Sequence, residues 1–95
     1  MVIKLKIHPE TADLIKGLHP NLKSRVKAAL KSLLDDPYCG KALKDELKGL
    51  RTFRVRRFRL IYRIYAKTIV EIITIGPRKN IYEETFRLIS RKSKK

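Results

Sequence analysis

Hydrophobic and polar residues alternate almost one for one along Phe53–Tyr65. Alternation with a period of two is typical of a β-strand that has one buried face and one solvated face. A second β-rich run follows at Thr68–Ile75, and a shorter alternating run lies near the N-terminus at Val2–His8. These patterns predict a first strand at 2–8 and three later strands at about 51–56, 58–66 and 68–75.

Between the first strand and the later ones, the interval between successive hydrophobic residues changes to three and four positions. This spacing predicts a helix over Pro20–Asp35 with one buried stripe, formed by Leu22, Val26, Ala29, Leu30 and Leu33. A shorter helix is predicted over Pro9–Leu18, because proline suits the first helical turn. The His19-Pro20 step separates the two helices, which are expected to form an antiparallel hairpin laid on a sheet.

The remaining segments carry weaker signals. Tyr38–Leu50 is expected to form one or two helical turns that end at Gly49. A last helix is predicted over Ile81–Arg91, with Asn80 as its cap and Glu83 completing a capping box. The basic residues 90–95 are expected to form a frayed tail.

The order of elements indicates an α+β fold. An N-terminal strand is followed by an antiparallel helical hairpin, a three-stranded antiparallel meander that completes one sheet, and a short C-terminal helix. The 95 residues are expected to form a single domain, 1–95.

Charge narrows the possible functions. The chain has 24 Lys and Arg against 9 Asp and Glu, a formal net charge of +15, and no acidic residue between Lys48 and Val70. Like charges on one sheet face repel each other, and a polyanion such as nucleic acid is the simplest partner that offsets this repulsion. An anionic membrane surface or an acidic protein are the other partners that such a charge favours.

Membrane-spanning, exported, disulfide-rich and metal-binding proteins are disfavoured by features that the sequence lacks. No apolar run reaches the roughly 18 residues of a membrane span, and the N-terminus has no apolar signal core, so a cytoplasmic protein without membrane association is expected. A single cysteine, Cys39, excludes disulfide frameworks and all-cysteine zinc sites. His8 and His19 are too scattered to form a catalytic pair, and neither a metal nor another cofactor is expected.

The alternating run suggests a phosphate-binding clamp. A two-residue turn at Arg56-Arg57 would place Val55 opposite Phe58 on the buried side and Arg54 opposite Arg59 on the other side. Two adjacent guanidinium groups can bind a phosphate bidentately. Arg-Arg is unfavourable in a tight turn that requires positive φ, and a register slip of one residue would exchange the two faces.

The run LKGLRTFRVRRFRLIYRI, followed by IVEIITIGPRKNIYEET, resembles the RelE/ParE toxin superfamily. The order of elements fits that superfamily over nearly the whole chain. The resemblance implies the toxin of a type II toxin–antitoxin system, of the RelE type that cleaves mRNA in the ribosomal A site. The implied partners are the ribosome, mRNA and a cognate RelB-like antitoxin.

The resemblance also implies site residues. The positions that match the family's catalytic motif are Arg54, Arg59, Arg78 and Tyr82. Other cations near these positions are expected to bind RNA: Lys48, Arg51, Arg56, Arg57, Arg63 and Lys79. Arginines could stabilise the charge that develops on a phosphate attacked by the neighbouring 2′-OH. Tyr82 could orient or deprotonate that hydroxyl group, or stack on a base.

The sequence departs from the family pattern at two positions. Thr52 stands where the family often has a basic residue, for which Arg51 and Lys48 are candidate substitutes, and Arg56 stands where glycine is common.

Alternatives remain open at this point. Each arginine could be an ordinary solvated strand residue, and Tyr82 could pack in the core, as is expected of Tyr62. A ParE-like gyrase inhibitor would not need Arg59, Arg78 and Tyr82. A non-catalytic basic RNA-binding module would bind RNA without cutting it.

Overall fold

The computed structural model describes residues 3–93, with side chains through residue 90. Five strands form one sheet in the order β1-β5-β4-β3-β2. The strands are β1 Lys4–Ile7, β2 Lys41–Ala42, β3 Arg51–Val55, β4 Phe58–Tyr65 and β5 Ile69–Pro77. Strand β1 pairs with β5 in parallel, whereas the other neighbours are antiparallel. The predicted α+β class and meander are confirmed, although Val2 lies outside the described residues.

Two helices cover one face of this sheet. They are α1 Pro9–Lys16 and α2 Pro20–Asp35, and the imidazole of His19 caps the second by accepting a hydrogen bond from the amide of Asn21. The predicted stripe of α2 is buried through Val26, Ala29 and Leu33. These side chains pack against the sheet residues Val55, Leu60, Tyr62, Val70, Ile72 and Ile75. This larger core therefore lies on the side of the sheet opposite the basic cleft described below.

A third helix, α3 Ile81–Ser93, covers part of the opposite face. Its anchor is Ile81, which is fully buried and packs with Leu50, Ile61 and Ile73. A Cβ atom at Gly76 would lie only 3.0 Å from the Cδ1 atom of Ile81, so glycine allows the start of α3 to approach β5.

The predicted capping box of α3 is wrong. The backbone amide of Asn80 donates instead to the Pro77 carbonyl group at 3.2 Å. The Glu83 carboxylate accepts a hydrogen bond from the guanidinium group of Arg87, one helical turn further on. The helix also continues two residues beyond its predicted end at Arg91. The last two residues of the predicted frayed tail, 94 and 95, lie outside the described part of the chain.

The segment between α2 and β3 also differs from the expectation. It contains two short 3-10 turns, Pro37–Cys39 and Asp45–Leu47, rather than turns of α-helix. Between them lies β2, a fifth strand of two residues that no alternating pattern could indicate. Gly49 has a φ angle of 96°, a backbone conformation that favours glycine.

The β3–β4 hairpin has the predicted register. Val55 pairs with Phe58 and Arg54 pairs with Arg59, so Arg56-Arg57 forms the two-residue turn. Arg56 has a φ angle of 56°, in the left-handed region, where a glycine would be less strained. The hairpin therefore forms despite unfavourable turn residues, because the buried face of both strands fixes the register.

A bulge interrupts the pairing of β4 with β5 between Ile61 and Tyr62. Its extra residue, Ile73, has no partner in β4, and its carbonyl group accepts a hydrogen bond of 3.0 Å from the buried hydroxyl group of Thr11 in α1. No helix within residues 3–93 is long and apolar enough to cross a membrane.

Candidate functional site

The site forms where the β3–β4 hairpin meets the end of β5. Arg54 and Arg59 are direct cross-strand partners, and Arg59 also pairs with Gly76 on its other side. Side chains of directly opposed strand residues lie on the same face. The guanidinium groups of Arg54 and Arg59 therefore project together from the face that α3 covers only in part.

Arg78 joins this pair through its backbone. Its amide donates to the carbonyl group of Arg57 at 2.9 Å, which ties the turn after β5 to the turn of the hairpin. Pro77 precedes it and restricts the backbone further. The exposed side chain of Arg78 is therefore carried on a restrained segment beside Arg59.

Helix α3 contributes Tyr82 to the site. This residue follows the buried anchor Ile81, and its side chain is 36% exposed. Tyr82 is thus neither a core aromatic nor a free surface residue. Its ring forms one wall of the cleft.

The four predicted catalytic residues line a single cleft of about 480 Å³. The remaining wall comes from β3 and from the segment leading into β2. The full lining is Cys39, Gly40, Lys41, Thr52, Phe53, Arg54, Arg59, Arg78 and Tyr82. This lining includes four cationic residues and no acidic one, so the cleft favours an anionic ligand.

A second cleft of about 480 Å³ adjoins the first and shares Arg54, Arg59 and Arg78 with it. Three of the cations predicted to bind RNA line this second cleft: Arg56, Arg57 and Lys79. The two clefts together make a continuous basic groove that runs from β2 past the hairpin turn.

The arginines of the groove are not neutralised by carboxylates. Within residues 3–90, the ion pairs are His8 and Arg63 with Glu71, and Arg87 with Glu83. One bond partly restrains Arg54, whose Nε donates to the carbonyl group of Arg56 at 3.3 Å. Its other guanidinium donors, and those of Arg59 and Arg78, are available to an anionic ligand.

Three other predicted RNA-binding cations lie away from the cleft. Arg51 donates to the carbonyl groups of Tyr38 and Gly40 at 3.0 and 2.6 Å, and its guanidinium group lies over the Tyr38 ring. Arg63 is bound to Glu71 and lies over the Tyr65 ring. Lys48 is exposed just after the second 3-10 turn.

The structure adds residues to the site that sequence reasoning missed. Lys41 and Thr52 are cross-strand partners of β2 and β3 and both line the cleft. The departure from the family pattern at Thr52 was visible in the sequence, but the strand that brings Lys41 beside it was not. Cys39 also lines the cleft, and partial desolvation together with the negative charge of Asp36 raises the pKa of its thiol, which does not favour a nucleophilic thiolate.

The chemistry of the described residues limits what the site can do. No group of three or more His, Cys, Asp or Glu side chains within them could hold a metal ion. What the cleft offers is an array of guanidinium groups, one ammonium group, one threonine hydroxyl group and one phenol. Such an array suits the backbone of a nucleic acid strand and a base stacked on an aromatic ring.

Comparisons with known proteins identify the family. The model of the ParE-like toxin of type II bacterial toxin–antitoxin systems matches residues 5–85. No curated protein matched the sequence at a significant level.

Solved structures of similar fold are toxins of this kind. The RelBE2 toxin–antitoxin complex from Mycobacterium tuberculosis is 27% identical, with a TM-score of 0.71, and the match covers 82% of this chain and 100% of that one. A mutant of Escherichia coli RelE in the free state is 20% identical, with a TM-score of 0.74 over 97% of this chain and 98% of that one. The archaeal RelE–RelB complex from Pyrococcus horikoshii is 20% identical, with a TM-score of 0.67 over 82% and 97%.

The family match spans most of the strands, helices and cleft residues described above. The chain therefore belongs to the RelE/ParE superfamily of type II toxin–antitoxin toxins.

Proposed function

We propose that this toxin is a ribosome-dependent endoribonuclease that cuts mRNA in the A site. The observation that carries the proposal is the convergence of Arg54, Arg59, Arg78 and Tyr82, from three different parts of the chain, on one acid-free cleft. A toxin that acted only by blocking a protein surface would not require a phenol among unpaired guanidinium groups.

The proposed reaction uses the RNA's own nucleophile. The 2′-oxygen attacks the adjacent phosphorus, the bond to the 5′-oxygen breaks, and a 2′,3′-cyclic phosphate and a 5′-hydroxyl group form. The 2′-OH loses one proton and the departing 5′-oxygen gains one, so the overall proton balance is zero. No metal ion and no covalent enzyme intermediate are needed.

Each side chain then has a defined task. Arg54 and Arg59 bind the scissile phosphate side by side, and Arg78 approaches it from the end of β5. Together they stabilise the negative charge that increases on the phosphoryl oxygens in the transition state. The Tyr82 hydroxyl group orients the attacking 2′-OH by a hydrogen bond.

Dependence on the ribosome fits the geometry of the cleft. The groove is wide and open, and it holds no histidine or carboxylate that could act as a strong base at its centre. We infer that the ribosome contributes by fixing the message in a conformation aligned for attack, since orientation of the reacting groups alone can remove much of the activation barrier.

We further propose that a RelB-like antitoxin holds the toxin inactive. Support comes from the solved relatives, two of which were crystallised as toxin–antitoxin complexes. On this chain, α3 exposes Tyr82 and Phe86, which are 36% and 44% exposed and lie one helical turn apart. An amphipathic helix of the partner can bury such a pair.

The test of the proposed activity uses ribosomes that carry a message and a tRNA in the P site, with an empty A site. Mapping of RNA ends should show a cut within the A-site codon, and the same message without ribosomes should remain intact. A message with a 2′-deoxy nucleotide at the scissile position is the matched control. It should resist cleavage, which would also exclude a contaminating nuclease that hydrolyses DNA-like linkages.

The rival function is tested in parallel with DNA gyrase. Stabilised gyrase–DNA cleavage complexes together with an uncut message would replace the proposal by gyrase inhibition. Binding to ribosomes without cleavage of the message that carries the 2′-OH group would support the alternative function, a non-catalytic RNA-binding module.

A further inference from the structure

Lys41 and Thr52 form a separate polar patch at the β2 end of the cleft. They are direct partners in the antiparallel pairing of β2 with β3, so their side chains leave the sheet on the same face. Arg54 lies on that face too, two residues further along β3. Residues two apart on a strand are separated by about 6.7 Å, which is similar to the spacing of neighbouring phosphates in an extended RNA strand.

Thr52 has an unmet hydrogen-bonding capacity. The residue is 7% exposed, and its Oγ1 atom has no hydrogen-bond partner within the described residues. Leaving a buried hydroxyl group unpaired destabilises a folded protein. For the hydroxyl group to serve a ligand in the cleft, it must turn about the Cα–Cβ bond so that a ligand oxygen accepts its hydrogen bond.

The position of Lys41 is fixed by its neighbours. The Gly40 amide donates to the Tyr62 hydroxyl group at 3.2 Å, and that hydroxyl group donates to the Pro37 carbonyl group at 2.8 Å. Arg51 donates to the Gly40 carbonyl group at 2.6 Å. A Cβ atom at Gly40 would lie 2.6 Å from the Thr52 carbonyl oxygen, so only glycine permits this close approach of β2 to β3. The segment is thus held on both sides immediately before Lys41.

The ammonium group of Lys41 is not committed to a carboxylate. None of the ion pairs in residues 3–90 includes it, and no acidic residue lines the cleft. An exposed ammonium group with three donors next to an unpaired hydroxyl group is suited to an anionic oxygen.

We propose that Lys41 and Thr52 form a second phosphate subsite, which binds the RNA backbone phosphate next to the one held by Arg54, Arg59 and Arg78. This proposal rests on the proposed function for the identity of the ligand. It also explains how the site compensates for a neutral residue at position 52. The missing charge comes from Lys41 across the sheet, whereas the sequence had suggested Arg51 and Lys48.

The first measurement is the binding of a short single-stranded RNA that cannot be cut because its sugars are 2′-deoxy or 2′-O-methyl. Affinity is measured over a series of salt concentrations for the wild type, Lys41→Gln and the control Lys27→Gln, which removes an exposed lysine from α2. Each phosphate contact in single strands contributes about 0.7 to the slope of log affinity against log salt. Lys41→Gln should lower the magnitude of the slope by about 0.7, and Lys27→Gln should not change it.

The second measurement separates the hydroxyl group from the charge. Thr52→Val replaces the unpaired hydroxyl group by a methyl group, so it should leave the melting temperature unchanged or raise it while weakening RNA binding. A lower melting temperature with unchanged RNA affinity would mean that the hydroxyl group serves the fold, and would overturn its place in the subsite.

On programmed ribosomes, a binding contact made equally in the ground state and the transition state raises KM and leaves kcat unchanged. Lys41→Gln should therefore raise KM at a near-wild-type kcat. An unchanged salt slope in Lys41→Gln, or no measurable RNA binding by the wild type, would overturn the subsite. If the slope changes as expected but ribosome-bound message is not cut, the subsite stands and the proposed nuclease activity fails. If the message is cut while the slope does not respond to Lys41→Gln, the activity stands and the subsite fails.

Discussion

At the scale of single residues, Tyr62 shows how a core side chain supports the cleft. Its ring is fully buried among the residues under α2, while its hydroxyl group bonds to the backbone of Pro37 and Gly40. Burial is the largest influence on this group, and it raises the pKa of the phenol, so the hydroxyl group stays protonated and can donate. The expectation that Tyr62 belongs to the core is confirmed, and its polar tip also positions the residues that precede Lys41.

We predict that Tyr62→Phe destabilises the protein by about 1–3 kcal/mol, because it leaves the Pro37 carbonyl group and the Gly40 amide without their partner. Urea denaturation followed by circular dichroism measures the free energy of unfolding. The control is Tyr65→Phe, which removes a hydroxyl group from the same strand at a position where the ring contacts Arg63. Equal stability of Tyr62→Phe and the wild type would show that these two hydrogen bonds contribute nothing.

At the scale of secondary-structure elements, one carboxylate joins three of them. Glu71 of β5 is 5% exposed and accepts hydrogen bonds from Arg63 of β4 and from His8, which precedes α1. Lys6 of β1 is its register partner on the other side. Burial alone would raise the pKa of Glu71, but the hydrogen bonds from Arg63 and His8 outweigh it and lower the pKa below the usual 4.5.

A carboxyl group whose pKa is lower in the folded state stabilises the fold while it is ionised, and this contribution is lost as the pH falls through the folded pKa. We therefore predict that the free energy of unfolding decreases as the pH drops below about 4.5, the usual pKa of the group. In Glu71→Gln this part of the pH dependence should disappear, whereas Glu10→Gln, at an exposed position of α1, should retain it. Parallel pH profiles for the wild type and Glu71→Gln would contradict the assignment.

The elements differ in how well the sequence predicts them. The alternation from Phe53 to Tyr65 was long enough to give both strands and the register that pairs Arg54 with Arg59. The periodicity of α2 was equally clear. Strand β2 could not be predicted, because two residues form no pattern and their pairing depends on contacts with Tyr62 and Arg51 that are distant in sequence.

The same distinction applies to the site. The resemblance to the toxin superfamily predicted Arg54, Arg59, Arg78 and Tyr82 as site residues, and the fold brings all four to one cleft. The position of Arg51 depends on tertiary contacts, and it binds carbonyl groups where RNA binding was expected. Whether the four cleft residues are catalytic stays a prediction.

At the scale of the whole molecule, the sheet separates a closed side from an open one. Helices α1 and α2 cover one face, while α3 leaves the hairpin end of the other face exposed to solvent. The basic groove lies at that end, and the paired carboxylates Glu71 and Glu83 lie outside its lining. Seven of the 24 Lys and Arg residues line this groove, and no acidic residue does, so a polyanion can approach it.

The exposed pair on α3 leads to a prediction about the partner. Phe86→Ser should weaken the complex with a co-expressed antitoxin, because it removes an exposed aromatic side chain from the proposed interface. Phe86 does not line the cleft, so cleavage of ribosome-bound message should remain near the wild-type rate. Co-purification measures the first effect, and undiminished complex formation by the folded variant would place the interface elsewhere.

The proposed mechanism requires the arginines of the cleft to stabilise the transition state of RNA cleavage. Its most direct test is a single-turnover measurement on ribosome-bound message with the wild type, Arg78→Ala and Arg87→Ala. The control removes the same charge from α3, where Arg87 is exposed and bonded only to Glu83 among the described contacts. Loss of one preorganised donor to a developing oxyanion commonly costs about a hundredfold in rate.

We expect Arg78→Ala to cut roughly a hundredfold more slowly than the wild type, with an unchanged circular dichroism spectrum and melting temperature. Arg87→Ala should cut at close to the wild-type rate. Cleavage by folded Arg78→Ala at the wild-type rate would contradict the claim that this arginine acts on the transition state.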